Sequence, residues 1–396
     1  MDPLNVYVLG AGASYVHGAP LTDEIVPLAL TRLPGSKGAR LDPLRDFLDR
    51  AFHFDPKKKL TTKNPGEDPH WRHCPGLVDL LSVVDMALDR RENLVRGFSQ
   101  DEMRKLRQSI EFAIFRSLEW ALSRRNATGR RSDATKRLVK MMNPHDSAII
   151  SFNYDVVVDI ALSKRAEEDF DFGRADVEVL GQNQRLNIDY GVDFANLPPS
   201  SGNGGRFKLL KLHGSFNWVA SALTGNLYFG GLKKAVGRVL EYQTAMEGQQ
   251  QRAARRVADM FGFFNRRSAL PRGSTYLDAE IASLEPVLIT PTHIKDLRKF
   301  HLSVLWRRAE EVLRRAKQIT FIGYSLPGDD LHIKYLFKHA LETRNRAAAP
   351  KIVVVDYHNA AREPLGSQVE ANYRRFFGDI EFHPNGFEQY LDDIGA

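Results

Sequence analysis

The chain of 396 residues has very little cysteine and no long apolar run. Cys74 is its single cysteine, which excludes an intrachain disulfide and a zinc ribbon built from cysteines. No stretch is apolar over the length that a membrane span requires, and the N-terminus lacks the basic and apolar regions of a secretion signal. We therefore expect a cytoplasmic protein with no membrane contact.

Charge of neither sign dominates the sequence. The formal net charge is +7 and the pI is near 9.3, a mild excess for a chain of this size. A solvated basic surface explains that excess as well as a nucleic-acid site does. The Gln- and Arg-rich stretch 249–267 leaves nucleic-acid contact open. We favour contact with a partner protein there.

The N-terminal stretch combines an apolar run with a glycine turn. Residues 6–9 are continuously apolar, which predicts a strand buried on both faces. Gly10, Ala11, Gly12, Ala13 and Ser14 follow, and such a turn before a helix can hold a pyrophosphate on free N–H groups. A tight turn that needs glycine only for steric reasons has the same pattern.

Polar residues also follow four later predicted strands. Asn153 and Asp155 come after the strand at 148–152, and His213 after the strand at 207–212. Gly323 and Ser325 follow the strand at 319–322, and Asn359 follows the strand at 351–356. Ligands of open α/β sheets bind at the carboxyl ends of strands. Other roles stay open: Asn153 could cap the next helix, Asp155 could serve its dipole, and Ser325 could close a turn.

The order of strands and helices predicts the fold class. Strand and helix alternate from residue 286 onward, which is typical of an α/β protein with a Rossmann-like parallel sheet, helices on both faces and helical insertions. We predict a discontinuous Rossmann-like domain at 1–40, 146–231 and 281–396. A helical insertion at 41–145 and a basic helical or loop insertion at 232–280 would interrupt it.

The strand ends together resemble the motifs of the sirtuin family, the silent-information-regulator-2-like proteins. The first sirtuin motif, G-A-G-x-S-x-x-x-G-x-P, is matched by Gly10, Ala11, Gly12, Ser14, Gly18 and Pro20. The other motifs are matched by Asn153 and Asp155, by His213 and Gly214, and by Gly323, Ser325 and Leu326. The resemblance covers about 1–35, 146–230 and 285–390 and implies that the Rossmann-like domain binds NAD.

The sequence differs from that of deacylating sirtuins in three respects. The four-cysteine zinc module of deacylating sirtuins is excluded, so we expect no zinc. Leu21-Thr22-Asp23 stands in place of Asp-Phe-Arg, and Phe152 stands where Gln is common. These features resemble the sirtuin-like domains of bacterial anti-phage defence systems, which are NAD hydrolases. The resemblance implies antiviral defence by NAD depletion, and we expect a homo-oligomer with a HerA-type ATPase or another defence protein as partner.

The resemblance also implies a role for each motif residue. Residues 10–14, with Pro20, would hold the pyrophosphate, and Ser14 would donate a hydrogen bond to it. Asp155 would contact the nicotinamide carboxamide, and Asn153 would bind a ribose hydroxyl or position water. His213 would polarise a ribose hydroxyl or act as general base. Gly323 and Ser325 would line the adenosine side, and Asn359 would reach its ribose.

Three alternatives compete with hydrolysis of NAD. The first is an NAD-dependent protein deacylase or ADP-ribosyltransferase, and the second is a nucleotide-sensing module without turnover. The third is a dehydrogenase, which the sequence disfavours. Tyr15 replaces the third glycine of its G-x-G-x-x-G motif, and no acidic residue about 20 positions later ends a credible second strand.

Overall fold

The computed structural model describes residues 4–32, 38–62, 65–123, 132–164, 188–197, 207–230, 275–289, 302–328, 330–344, 349–358 and 367–396. The strands are β1 (Leu4–Leu9), β2 (Ser147–Ser151), β3 (Ile188–Asp189), β4 (Phe207–Lys211), β5 (Gly214–Ser221), β6 (Leu227–Phe229), β7 (Leu284–Leu288), β8 (Ala316–Ile322), β9 (Lys351–Val355) and β10 (Glu381–His383). The helices are α1 (Ala11–Tyr15), α2 (Ile25–Thr31), α3 (Gly38–Phe52), α4 (Leu77–Arg90), α5 (Gln100–Ser123), α6 (Ala134–Met141), α7 (Val157–Lys164), α8 (Thr275–Ala282), α9 (Leu302–Arg314), α10 (Leu331–Glu342), α11 (Gln368–Phe377) and α12 (Gly386–Asp393).

The chain divides into two compact units. The sheet unit comprises Met1–His17, Asn126–Ile289 and Asp296–Ala396, and the helical unit comprises Gly18–Arg125 and Thr290–Lys295. The sequence pattern places α6 in the helical insertion, whereas its Leu138 and Val139 pack in the core of the sheet unit. The three-part division into domains stays a prediction. Most of its basic insertion at 232–280 lies outside the described residues.

The sheet unit is built on a parallel sheet of seven strands in the order β10-β9-β8-β1-β2-β4-β3. The predicted fold class, a Rossmann-like α/β sheet flanked by helices, is confirmed. Strands β2, β3 and β4 lie on one side of β1 in the sheet, and β8, which comes later in the chain, lies on the other side of β1. The border between β1 and β8 is therefore the topological switch point, where open α/β sheets bind their ligands.

Burial follows the sequence pattern closely in this unit. All five residues of β2 are buried, as expected for a continuous apolar run between two layers of helices. Helix α9 buries one stripe at helical spacing and turns its charged residues outward. That stripe consists of Leu302, Leu305, Trp306, Ala309, Val312 and Leu313.

The alternation from residue 286 onward begins with a strand, but the predicted place of that strand in a parallel sheet is wrong. The strand corresponds to β7, which pairs antiparallel with β5 in a separate sheet of three strands, β6-β5-β7. The chain leaves the parallel sheet at Gly214, whose φ is +79°. A Cβ on Gly214 would lie 1.9 Å from the Val287 carbonyl oxygen. Only glycine allows this change of direction. The requirement is steric and arises between two segments that are distant in the sequence.

The helical unit contains α2, α3, α4 and α5. On α5, Leu106, Ile110 and Ala113 form a fully buried stripe at helical spacing. Ser117 continues the stripe, and its hydroxyl donates to the Ile25 carbonyl at 2.9 Å. No helix within the described ranges has both the length and the apolar content needed to cross a membrane.

Candidate functional site

The carboxyl ends of four parallel strands are in register. Leu9 at the end of β1 pairs with Ser151 of β2 and Ile322 of β8, and Ser151 pairs with Lys211 of β4. The residues after these strands therefore emerge at one edge of the sheet. That edge carries the glycine turn, the 152–155 segment, His213 and the turn at 323–325.

The glycine turn after β1 crosses the turn after β8 at very short range. The Gly10 N–H donates to the Ile322 carbonyl at 3.0 Å, and the Gly12 N–H donates to the Gly323 carbonyl at 2.9 Å. A Cβ on Gly10 would lie 2.5 Å from the Gly323 oxygen. The close crossing by itself requires these glycines. Pyrophosphate binding by residues 10–14 stays a prediction, and the Gly12 N–H already has an acceptor within the protein.

Replacing Gly323 by alanine tests this crossing. Gly323 has a φ of +62°, and a Cβ there would lie 2.3 Å from the Ala13 nitrogen. We expect Gly323→Ala to lower the free energy of unfolding by about 2–4 kcal/mol, because left-handed strain and backbone overlap add. Gly328→Ala is the matched control, since its Cβ would meet nothing within 4 Å. Urea unfolding should leave that control within about 1 kcal/mol of the parent. An equal loss of unfolding free energy in Gly323→Ala and Gly328→Ala would contradict the steric role given to Gly323.

Asn153 is fixed by two hydrogen bonds to the glycine turn. Its Nδ2 donates to the Gly10 carbonyl at 2.8 Å and to the Ser14 Oγ at 3.0 Å. A carbonyl only accepts, so Nδ2 must face Gly10 and the orientation of the amide is determined. The Asn153 Oδ1 accepts no hydrogen bond from any residue that the structure describes.

Asp155, rather than Asn153, caps the following helix. Its Oδ1 accepts the Val157 N–H at 3.0 Å at the start of α7. The side chain is only 4% exposed. Burial raises the pKa of Asp155, while the Lys211 charge and hydrogen bonds from Val157 and Ser14 oppose that rise. A hydrogen bond from Ser14 to Asp155 would compete with the predicted donation of the Ser14 hydroxyl to a pyrophosphate.

His213 lies in the connection between β4 and β5 and is almost fully buried. Its ring centroid is 5.2 Å from that of Phe152 and 6.3 Å from that of Tyr154. The His213 carbonyl accepts the Ile289 N–H at 2.9 Å, and the Tyr154 hydroxyl donates to the Ile289 carbonyl at 2.7 Å. These bonds hold the imidazole in an aromatic wall.

The 152–155 segment links the two halves of the site. Its aromatic residues, Phe152 and Tyr154, contact His213. Its polar residues, Asn153 and Asp155, contact Ser14. This alternation is what an extended segment produces. One short stretch thus sets the positions of Asn153 and His213 together.

The turn after β8 forms a third part of the edge. The Tyr324 ring lies 4.6 Å from the Phe152 ring, and its hydroxyl donates to Asp330 Oδ2 at 2.7 Å. Ser325 is exposed, and its carbonyl accepts from Asn372 at 3.4 Å.

Of the other predicted ligand residues, Pro20 is buried in the helical unit. Asn359 lies outside the described residues.

Sequence reasoning missed a buried ion pair beneath this edge. Lys211 and Asp159 are both fully buried, and Tyr190 joins them. A signal was present: Asp159 interrupts an apolar run in α7, and Lys211 ends a buried strand. Sequence reasoning also passed over Asp356, which follows β9 at the same edge.

The described part of the chain holds no cluster of three or more His, Cys, Asp or Glu side chains suited to a metal ion.

Comparison with known proteins gives a fold likeness only. No protein-family model matches the chain, and no curated protein does. Solved structures of Sir2 enzymes are similar to it at 12% identity and cover 99% of this chain. One concerns the mechanism and regulation of Sir2 enzymes (TM-score 0.40, 91% of that chain covered). Another has a bound propionylated peptide (TM-score 0.38, 93% covered). A third is a Sir2 complex with a p53 peptide and NAD+ (TM-score 0.31, 93% covered).

The class of the site follows from the chain's own geometry. Its strand order is that of an α/β sheet, and the polar side chains follow the carboxyl ends of β1, β2 and β4, beside the switch point. The site thus lies where Rossmann-like sheets bind their ligands.

Proposed function

We propose that the chain hydrolyses NAD at the nicotinamide–ribose bond and releases nicotinamide and ADP-ribose. The observation that carries the proposal is the 152–155 segment. It orients the Asn153 amide with two hydrogen bonds and packs Phe152 and Tyr154 against His213. The motif resemblance to sirtuin-like proteins supplies the identity of the dinucleotide.

The proposed reaction uses the amide oxygen of Asn153, which accepts no hydrogen bond from the described residues. The C–N bond to nicotinamide breaks with its electron pair moving to the ring nitrogen, which neutralises the cationic leaving group. The remaining ribose has oxocarbenium character. Asn153 Oδ1 would direct the negative end of its dipole at that ribose or hold the attacking water. The water oxygen then bonds to the anomeric carbon.

His213 would accept the proton that the water loses, or would polarise a ribose hydroxyl. An imidazole is suited to both tasks near neutral pH. The aromatic rings beside it limit the access of bulk water to the reacting carbon. Burial in this wall also fixes the ring in place before substrate arrives, which reduces the reorganisation that the reaction needs.

The remaining predicted residues divide into two groups. Ser14 and Asp155 would hold Asn153 in place, since their polar groups are engaged with each other and with α7. Residues 10–14 would line the phosphate side, and Gly323 and Ser325 the adenosine side. Contacts of Asp155 with the carboxamide, of Pro20 with the pyrophosphate and of Asn359 with a ribose rest on the motif resemblance alone.

The biological setting that we propose is anti-phage defence by depletion of NAD in the cytoplasm. A free NAD hydrolase would harm its own cell, so its activity must be controlled. We propose a homo-oligomer that is controlled by a partner, either a HerA-type ATPase or another defence protein. This part of the proposal rests on the resemblance, and we assign no zinc to the protein.

The reaction type is tested by incubating the purified chain with NAD alone and separating the products by chromatography. Hydrolysis predicts nicotinamide and free ADP-ribose in equal amounts without any acceptor. Nicotinamide release that requires an acylated peptide or a protein acceptor would instead show a deacylase or an ADP-ribosyltransferase. NAD binding without products, even with an added partner, would show a sensing module.

A further inference from the structure

Lys211 is a fully buried cation at the end of β4. Its ammonium group donates to the backbone carbonyl of Asp155 and to Asp159 Oδ2, the latter at 2.9 Å. The Asp155 carbonyl belongs to the 152–155 segment. The lysine side chain therefore connects the end of β4 to the segment that carries Asn153 by a direct hydrogen bond.

The partners of Lys211 neutralise its charge and fix its direction. Asp159 lies on α7 and is fully buried, and its other oxygen accepts the Tyr190 hydroxyl at 2.6 Å. Burial of two charges costs several kcal/mol, and apolar residues of similar volume often pack there at no loss of stability. A gain in stability is thus a poor explanation of this lysine. A methionine could fill its volume but could not donate to the Asp155 carbonyl.

A continuous set of hydrogen bonds leads from Lys211 to Asn153. Lys211 holds the main chain of Asp155, and the Asp155 carboxylate accepts from Val157 and Ser14. Ser14 in turn accepts from the Asn153 amide. A shift of the 155 main chain would therefore move both the amide and the Phe152–His213 contact.

We propose that Lys211 is a positioning residue, which sets the 152–155 segment so that Asn153 and His213 face the same ribose. This inference rests on the proposed function. Loss of the anchor should misplace the reacting groups while leaving the dinucleotide contacts of the glycine turn intact. The effect should therefore fall on kcat rather than on KM.

The test compares two variants of the buried cluster. Lys211→Met/Asp159→Leu removes the anchor together with the carboxylate that it pairs with. Tyr190→Phe is the matched control, since it removes a hydrogen bond from the same cluster and leaves the bond from Lys211 to the Asp155 carbonyl. Each variant is measured for nicotinamide release and for amide hydrogen exchange.

The double variant is expected to lose about 10- to 100-fold in kcat, with KM within about 3-fold of the parent. The Val157 N–H, which bonds to Asp155 Oδ1, should exchange faster in that variant. Tyr190→Phe should keep kcat within about 3-fold and keep the slow exchange. If the role of Lys211 were merely structural, kcat would fall equally in the double variant and in Tyr190→Phe. That result would overturn the proposal. Unchanged exchange at Val157 in the double variant would overturn it as well. That readout holds even if the parent releases no nicotinamide, a result that would contradict the proposed function alone.

Discussion

Replacing Asn153 by alanine is expected to reduce nicotinamide release about 10²- to 10³-fold, because it removes an oriented dipole beside the reacting carbon. The fold should survive. Gly10 keeps the Ala13 N–H as a hydrogen-bond donor to its carbonyl at 3.0 Å, and the loss of two hydrogen bonds costs about 1–3 kcal/mol. Initial rates of nicotinamide release, measured with saturating NAD, check the expected loss.

Asn226→Ala is the matched control for this variant. Asn226 is exposed in the turn between β5 and β6, so the same chemical change there should leave the rate within about 2-fold of the parent. Circular dichroism and urea unfolding confirm that both proteins are folded. An Asn153→Ala variant that is folded and cleaves NAD at the parental rate would remove Asn153 from the mechanism.

Replacing Lys211 alone by methionine is expected to lower the free energy of unfolding by about 3–5 kcal/mol. The substitution leaves the Asp159 carboxylate buried and without its cation, and Tyr190 supplies only a neutral hydrogen bond. Urea unfolding followed by tryptophan fluorescence measures this loss, and Trp218, which packs edge-on against Tyr190 at 5.3 Å, is one of the four tryptophans that contribute.

Adding Asp159→Leu to Lys211→Met should restore most of the lost stability, since the buried Asp159 carboxylate is then removed together with its cation. The two substitutions are coupled, so the cycle should show an interaction energy of about 2–3 kcal/mol. A loss below about 1 kcal/mol in the single variant would mean that water reaches Asp159, in conflict with the burial seen in the structure.

The parallel sheet could be predicted from sequence because its strands are short apolar runs. The predicted runs at 6–9, 148–152 and 351–356 correspond to β1, β2 and β9 of this sheet, although β2 ends at Ser151 and β9 at Val355. The sheet of three strands could not be predicted. It depends on the left-handed backbone at Gly214 and on the approach of Val287, more than 70 residues away. Such a contact leaves no local pattern.

The sequence pattern identifies candidate site residues but not the contacts between them, and the roles of these residues stay a prediction. The strand ends carried Asn153, Asp155 and His213, and the register of the strands brings these ends to one edge. The capping role of Asp155 and the hydrogen bond from Asn153 to Ser14 follow from geometry that the spacing of the residues in the sequence does not contain. The same holds for the bond between Lys211 and Asp159, which lie 52 positions apart in the chain.

The central claim is that this sheet edge cleaves the nicotinamide–ribose bond with the help of His213. The most direct measurement is nicotinamide release from NAD by the parent, by His213→Ala and by His145→Ala. His145 is an exposed histidine before β2, at the opposite end of the strand. We predict release by the parent and by His145→Ala, and a loss of at least about 100-fold in His213→Ala. Release by a folded His213→Ala variant at the parental rate, or no release by the parent, would contradict the claim.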